Sequence, residues 1–373
     1  MPDATGSIAG RLSRPLTAGR TGRPRRGTPG LIGVLCLVVA LTVNALLIHE
    51  VGRSGDEPYY ARMAAHPGGP HNFPYAFRVG VPYLVHVLPF SPSFSWSAIA
   101  LVAAGVAAGA LFALLREFDV GPRLATGLAI GFVVSPPLLV TFLRNGISVD
   151  PISAMVIMLG TLFIVRRRLP ALAVTLLVGT TVHESCLFLI PFAYAVWAER
   201  LIDTRALRDL ALVAIGPALV YVYLRTSIVA VGEGYQPGYY GPFVTERVDV
   251  IKLALGTGGW ARELRRLVLD YGPLWLAAPF ALRRLQFAQR GLVLVALCLG
   301  SMTFALDWGR AAFFAAPVIY VAAAWMLRDR RRLAVAAVLG LFLIDGGYAV
   351  YMQVHGVRHG LDSSGPPARG PVS

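Results

Sequence analysis

Lysine is almost missing from this chain. Lys252 is the only one in 373 residues, so arginine supplies nearly all of the 34 basic side chains. Charge of either sign is scarce at 14% of residues, while 56% are hydrophobic. No stretch after residue 30 is both long and polar enough to form a soluble domain, and one water-soluble core could not bury that much apolar surface. Cysteine is sparse too: Cys36, Cys186 and Cys298 lie in or against apolar runs, and no pair has metal-ligand spacing. They read as core thiols and imply no disulfide framework. A glycine-rich nucleotide loop, a Ser-His-Asp ordering and a zinc pattern are also missing, which argues against a soluble-nucleotide donor site. The net charge of +14 does not point to nucleic acid, because the arginines cluster at the ends of apolar spans rather than along one polar face.

What the chain does have is repeated apolar runs. They are Leu31–Ile48, Trp96–Leu115, Leu124–Leu143, Pro151–Val165, Leu169–Val182, Cys186–Ala198, Leu210–Val231, Tyr271–Leu282, Leu292–Leu306, Ala311–Leu327 and Leu333–Met352. The expected fold is all-α, a polytopic transmembrane bundle of about 11 helices. Residues 1–30 read as a disordered cytoplasmic tail, 31–352 as the transmembrane domain with outer loops 49–95 and 232–270, and 353–373 as a polar tail outside. No small-residue cleavage site follows Leu31–Ile48, so that span is expected to be a retained helix. With the amino terminus cytoplasmic, most of the arginines fall on the inner side, in short loops, as the positive-inside rule requires. The expected location is a bacterial plasma membrane.

The two spans flanking His183-Glu184 are short, each reaching about 20 Å of a hydrocarbon core of about 30 Å. They read as a hairpin whose tip is sunk below the outer surface. Ser135-Pro136-Pro137 removes two backbone donors and must bend or break its helix. Between Trp260 and Leu269, apolar residues at helical spacing with basic residues elsewhere suggest a helix lying on the membrane surface.

Ionisable residues near the outer face fall in a few places. Asp56-Glu57-Pro58-Tyr59 follows the first span, and Tyr75-Ala76-Phe77-Arg78-Val79-Gly80-Val81-Pro82 reads as a partly buried, aromatic-lined stretch. Arg144-Asn145-Gly146 with Asp150, the His183-Glu184 pair, and Asp307-Trp308-Gly309-Arg310 complete the set. Such charges near hydrocarbon are costly and mark chemistry or ion handling. Asp56 or Glu57 suits a general base, Arg78 and Arg144 suit phosphate oxygens, and His183 or Glu184 suits orienting the base. Asp56 and Glu184 are the candidates for a divalent metal. Tyr60 and Arg310 are further candidates on the substrate. The structural alternatives are a pairing of Arg78 or Arg144 with Asp150 or Glu57, and of Asp307 with Arg310 across one turn. Asp345, before Gly346-Gly347, marks either a helix break or a site.

Gly55-Asp56-Glu57-Pro58-Tyr59-Tyr60-Ala61 after the first span resembles the acidic motif in the first external loop of the GT-C class of integral-membrane glycosyltransferases. Looser likeness comes from 75–82, 144–150 and His183-Glu184. The resemblance implies a catalytic acid at Asp56 with Glu57 as companion, and a lipid-linked sugar phosphate, of the polyprenyl-phosphate kind, as donor. The acceptor would lie in the cell envelope. The chain departs from many members in lacking a large soluble carboxy-terminal domain. Competing expectations are a lipid or anionic-solute transporter or flippase, and a non-catalytic subunit of an envelope assembly complex. Transport would call for charged or broken-helix residues on the inner half, and few are present.

Overall fold

The computed structural model describes residues 28–47, 56–73, 75–138, 147–231, 264, 268–302 and 308–355. The described chain is all-α apart from one short parallel bridge between β1 (His71–Asn72) and β2 (Ala230–Val231). The helices are α1 (Thr28–Leu47), α2 (Glu57–Ala65), α3 (Gly80–Val87), α4 (Pro92–Glu117), α5 (Pro122–Val134), α6 (Asp150–Val165) and α7 (Leu169–Val182). They continue as α8 (Leu189–Trp197), α9 (Thr204–Ser227), α10 (Leu274–Ala281), α11 (Gln286–Met302), α12 (Trp308–Phe313), α13 (Ala316–Leu327) and α14 (Arg331–His355). Single 3-10 turns occupy Tyr75–Phe77 and Glu184–Phe188.

Local chemistry sets the boundaries. Ser91 caps α4, its hydroxyl accepting from the Phe94 N–H at 3.4 Å, and Pro92 occupies the first turn, where its missing donor costs nothing. Asp203 caps α9 by accepting from the amides of Arg205 and Ala206 at 3.0 and 3.1 Å. Pro136 ends α5: Ser135 before it takes ψ 149° and its hydroxyl donates to the Phe132 carbonyl at 2.7 Å. The span expected over Leu124–Leu143 is therefore broken at Ser135, and the chain is helical again over 136–138. Likewise the span expected over Ala311–Leu327 is divided into α12 and α13 ahead of Pro317. The stretch read as an outer loop, 49–95, contains α2, which is short and polar, and α3, which is apolar but too short to register as a span. Loop 232–270 and the surface helix expected over Trp260–Leu269 lie almost wholly outside the described residues.

α4 is the central helix, packed on α1, α5 and α6. Its approach to α1 is a backbone contact: a Cβ on Gly33 would meet the Gly105 carbonyl oxygen at 2.7 Å, and one on Gly109 would meet the Pro29 carbonyl oxygen at 2.6 Å. Small residues at that spacing let helices close without a side-chain layer between them. Farther on, α7 packs on α9, α10 on α13, α11 on α8 and α14 on α5. Cys36, Cys186 and Cys298 are buried free thiols.

Apolar side chains also cover the outside. Leu31 and Val34 on α1, Leu212, Leu219 and Val222 on α9, Leu276 and Phe280 on α10, and Leu339 and Leu343 on α14 are all exposed. Two helices, Pro92–Glu117 and Thr204–Ser227, are long and apolar enough to cross a membrane, with mean hydropathies of 2.5 and 1.6.

The two ends of the bundle differ. At one, Arg166 pairs with Glu117 at 2.7 Å, Arg167 with Asp209 at 2.9 Å, and Arg328 donates to the Phe118 carbonyl at 3.3 Å. Trp197 Nε1, at the foot of α8, donates to the Ile164 carbonyl at the foot of α6 at 3.0 Å. Since α7 leaves this end and α8 returns to it, the two form a hairpin with His183-Glu184 at its tip. The tip belongs to the opposite end.

Candidate functional site

Three segments remote in sequence meet at that opposite end. Gly80 in the first turn of α3 lies so close to Thr181, in the last turn of α7, that a Cβ there would collide with the threonine hydroxyl. Only glycine permits that approach, and it carries Arg78, two residues earlier, to the hairpin tip. Around the junction Tyr60, Val81, Val85, Trp96, Val149, Ile152 and Val182 form an apolar cluster from α2, α3, α4, α6 and α7.

Arg78 and Glu184 make a forked pair. Nη2 donates to Oε1 at 2.6 Å and Nε to Oε2 at 3.1 Å, while Nη1 donates to the Tyr60 hydroxyl at 3.1 Å. Two parallel charge-assisted bonds fix the guanidinium in orientation as well as position. Burial disfavours the charged form of Glu184, but the Arg78 guanidinium outweighs it and holds the carboxyl well below the usual range. Arg78 is likewise opposed by burial and kept charged by Glu184. The pair is unevenly wet, with side-chain exposures of 10% for Arg78 and 41% for Glu184, so its net strength is below that of a dry pair. Tyr60 is pushed up to about 12, first by burial, with Arg78 acting the other way and the charges of Asp56 and Asp150 adding to the rise. It is a neutral phenol at any physiological pH.

Asp56 joins this centre through Tyr75, whose hydroxyl donates to Oδ1 at 2.7 Å. The Tyr75 ring stacks on Tyr59 with centroids 4.8 Å apart, meets Tyr60 edge-on at 5.5 Å, and lies 5.7 Å from the Arg78 guanidinium carbon. Asp56 is also the residue before α2, where the amino-terminal end of a helix favours an anion. Glu57 occupies the first turn of α2. On the far side, His183 is extended and its Nδ1 accepts the Ser185 N–H at 3.1 Å, which leaves Nε2 to carry the proton of the neutral ring. Nδ1 lies 4.0 Å from Glu184 Oε2. The ring rests against Phe314 at 5.3 Å. Asp150 begins α6, with Ser148 donating to Oδ2 at 3.0 Å.

Of the residues expected to form the site, Asp56, Tyr60, Arg78 and Glu184 are linked through bonds and ring contacts, His183 adjoins them, and Asp150 lies within electrostatic reach of Tyr60. Arg78 is paired with Glu184, not with Asp150 or Glu57, so its fork is already engaged. Arg144 and Asp307 lie outside the described residues; Arg310 is placed only as backbone in α12. Among the described residues no three His, Cys, Asp or Glu side chains converge on a metal-binding geometry. With both Glu184 oxygens receiving Arg78 hydrogens, the described donors do not fit a divalent ion. In the sequence Tyr75 stands out only as part of an aromatic lining. Its signal was its position three residues before an arginine in a loop rich in rings. No protein-family model matches the chain, and no curated protein sequence matches it.

Proposed function

We propose that this chain is a polytopic plasma-membrane glycosyltransferase of GT-C type, with its amino terminus cytoplasmic and its acidic site facing outside. The exposed apolar faces of α1, α9, α10 and α14 support a lipid surround, since in water they would drive aggregation. The arginine-rich end supports the orientation.

The observation that carries the reading is the chain of contacts from Asp56 through Tyr75 to Tyr60, Arg78 and Glu184, built at one end of an apolar bundle. A site there lets a sugar phosphate sit in a polar cleft while its polyprenyl tail stays in hydrocarbon. In this reading the acceptor hydroxyl oxygen attacks the anomeric carbon, and the bond from that carbon to the phosphate oxygen breaks. The hydroxyl proton passes to the Asp56 carboxylate, and the phosphate leaves on its lipid. Tyr75 orients Asp56. The Arg78–Glu184 pair braces α3 against the hairpin tip, keeping Tyr60 and the ring cluster in place. The product is an envelope glycan or glycolipid extended by one sugar.

Purified full-length protein in vesicles, given a radiolabelled polyprenyl-phosphate sugar and an envelope extract as acceptor, tests this. Label appearing in acceptor with release of polyprenyl phosphate is expected. Intact carrier appearing on the opposite leaflet, with no bond broken, would instead identify a flippase.

A further inference from the structure

A second guanidinium stands at the same end, and the apolar run that contains it gave no sign of it. Arg225 lies in the last turn of α9, with its guanidinium carbon 3.9 Å from the Phe77 ring centroid and 5.1 Å from that of Tyr221. Its Nε is buried without a hydrogen-bond partner, and among the described residues no carboxylate reaches its guanidinium. This contrasts with Arg78, the next residue after Phe77, whose fork is filled by Glu184.

Several features fix where Arg225 sits. The chain leaves α9 into β2, which pairs with β1 in the segment leading to Tyr75; the His71 N–H donates to the Val229 carbonyl at 3.0 Å and the Phe73 N–H to the Val231 carbonyl at 2.8 Å. Leu224 packs with Met63 and Val79, which ties this turn to α2 and α3. On the other side, Val222 and Tyr223 are exposed, so the guanidinium stands between the site and the apolar outer face of α9. A cation flanked by rings, with donors still to spend and set at the boundary between apolar surface and polar end, matches a phosphate whose ester carries a lipid chain.

We propose that Arg225 is the anion-docking residue for a lipid-borne phosphate, anchored by the Phe77 ring and by its buried Nε, with its terminal Nη N–H groups donating to the phosphate oxygens. The proposal rests on the membrane-site reading above and adds the recognition element that Arg78, being engaged, does not supply. It concerns binding alone and requires no bond to break.

The test uses full-length protein in phosphatidylcholine nanodiscs, with binding of farnesyl phosphate, phosphatidic acid and inorganic phosphate followed by tryptophan fluorescence. The expected result is binding of farnesyl phosphate that weakens at least about tenfold in Arg225→Gln and partly recovers in Arg225→Lys. Thermal unfolding is expected to stay unchanged in Arg225→Lys. Equal binding of phosphatidic acid would assign the site to lipid phosphates in general. Preference for farnesyl phosphate would assign it to the isoprenoid carrier, and binding of inorganic phosphate at equal strength would show that the chain adds nothing. Wild-type affinity for all three probes in Arg225→Gln and Arg225→Lys would overturn the proposal. Because no turnover is read, an inactive transfer assay leaves this result standing, and a failed binding assay leaves the Asp56 chemistry standing.

Discussion

Both ends of the bundle hold arginine–carboxylate pairs, and the pairs are built for different work. At the arginine-rich end Arg166–Glu117 and Arg167–Asp209 join the feet of neighbouring helices, with arginine side chains 32% and 41% exposed and carboxylates 13% and 7%. Water reaches the arginine of each pair and weakens it. At the other end Arg78 is 10% exposed, bonded through three of its nitrogens, and ringed by Tyr60 and Tyr75. The same chemistry serves as a fastener at one end, and as a fixed scaffold beside an oriented carboxylate at the other. Which partner is buried, and how many bonds hold the guanidinium, separate the two roles.

Breaking one partner at each end sharpens this contrast. Glu184→Gln leaves a buried guanidinium without its counter-charge and is expected to lower stability by about 1–3 kcal/mol, a buried-pair loss reduced for the exposure of Glu184. The double variant Arg78→Gln/Glu184→Gln is expected to recover part of that loss, measured by thermal unfolding in detergent.

A comparison within α1 comes next in size. Gly33→Ala drives a methyl against the Gly105 backbone and is expected to cost about 1–3 kcal/mol. Gly30→Ala meets nothing within 4 Å and is expected to be neutral or to stabilise by up to about 1 kcal/mol.

The third contrast is in pH. Because the folded state holds the Glu184 carboxyl below its ordinary value of 4.5, its contribution is complete above that pH and is lost as pH falls below it. Wild type and Glu184→Gln should therefore differ most near neutrality and converge in acid. A gap that widens as pH falls would contradict the assignment. The smallest effect belongs to the arginine-rich end: Arg166→Gln should cost under about 1 kcal/mol and vanish in high salt.

Much of the helical framework was readable because apolar runs are bounded by arginines and prolines. The expected Leu169–Val182 coincides with α7, since Arg168 and His183 punctuate it on both sides. The break at Ser135-Pro136 follows from proline alone. By contrast, α2 and α3 escaped notice because they are short and stabilised by tertiary contacts that periodicity does not record. The bond from Arg78 to Glu184 spans 106 residues and depends on Gly80 meeting Thr181, which nothing local announces. Asp56 was found because an acidic pair beside an apolar run is unusual; its Tyr75 partner was not, because aromatic loops are common. Arg225 went unnoticed as one charge inside an apolar span. Its meaning lies in the rings that flank it.

Turnover by Asp56→Asn tests the central claim most directly. Purified wild type and variant, in vesicles containing a polyprenyl-phosphate sugar and acceptor, are compared for sugar transferred per minute, with thermal unfolding confirming that both are folded. The account predicts a loss of about 100-fold or more with unfolding unchanged. Transfer by the folded Asp56→Asn protein at the wild-type rate would contradict it.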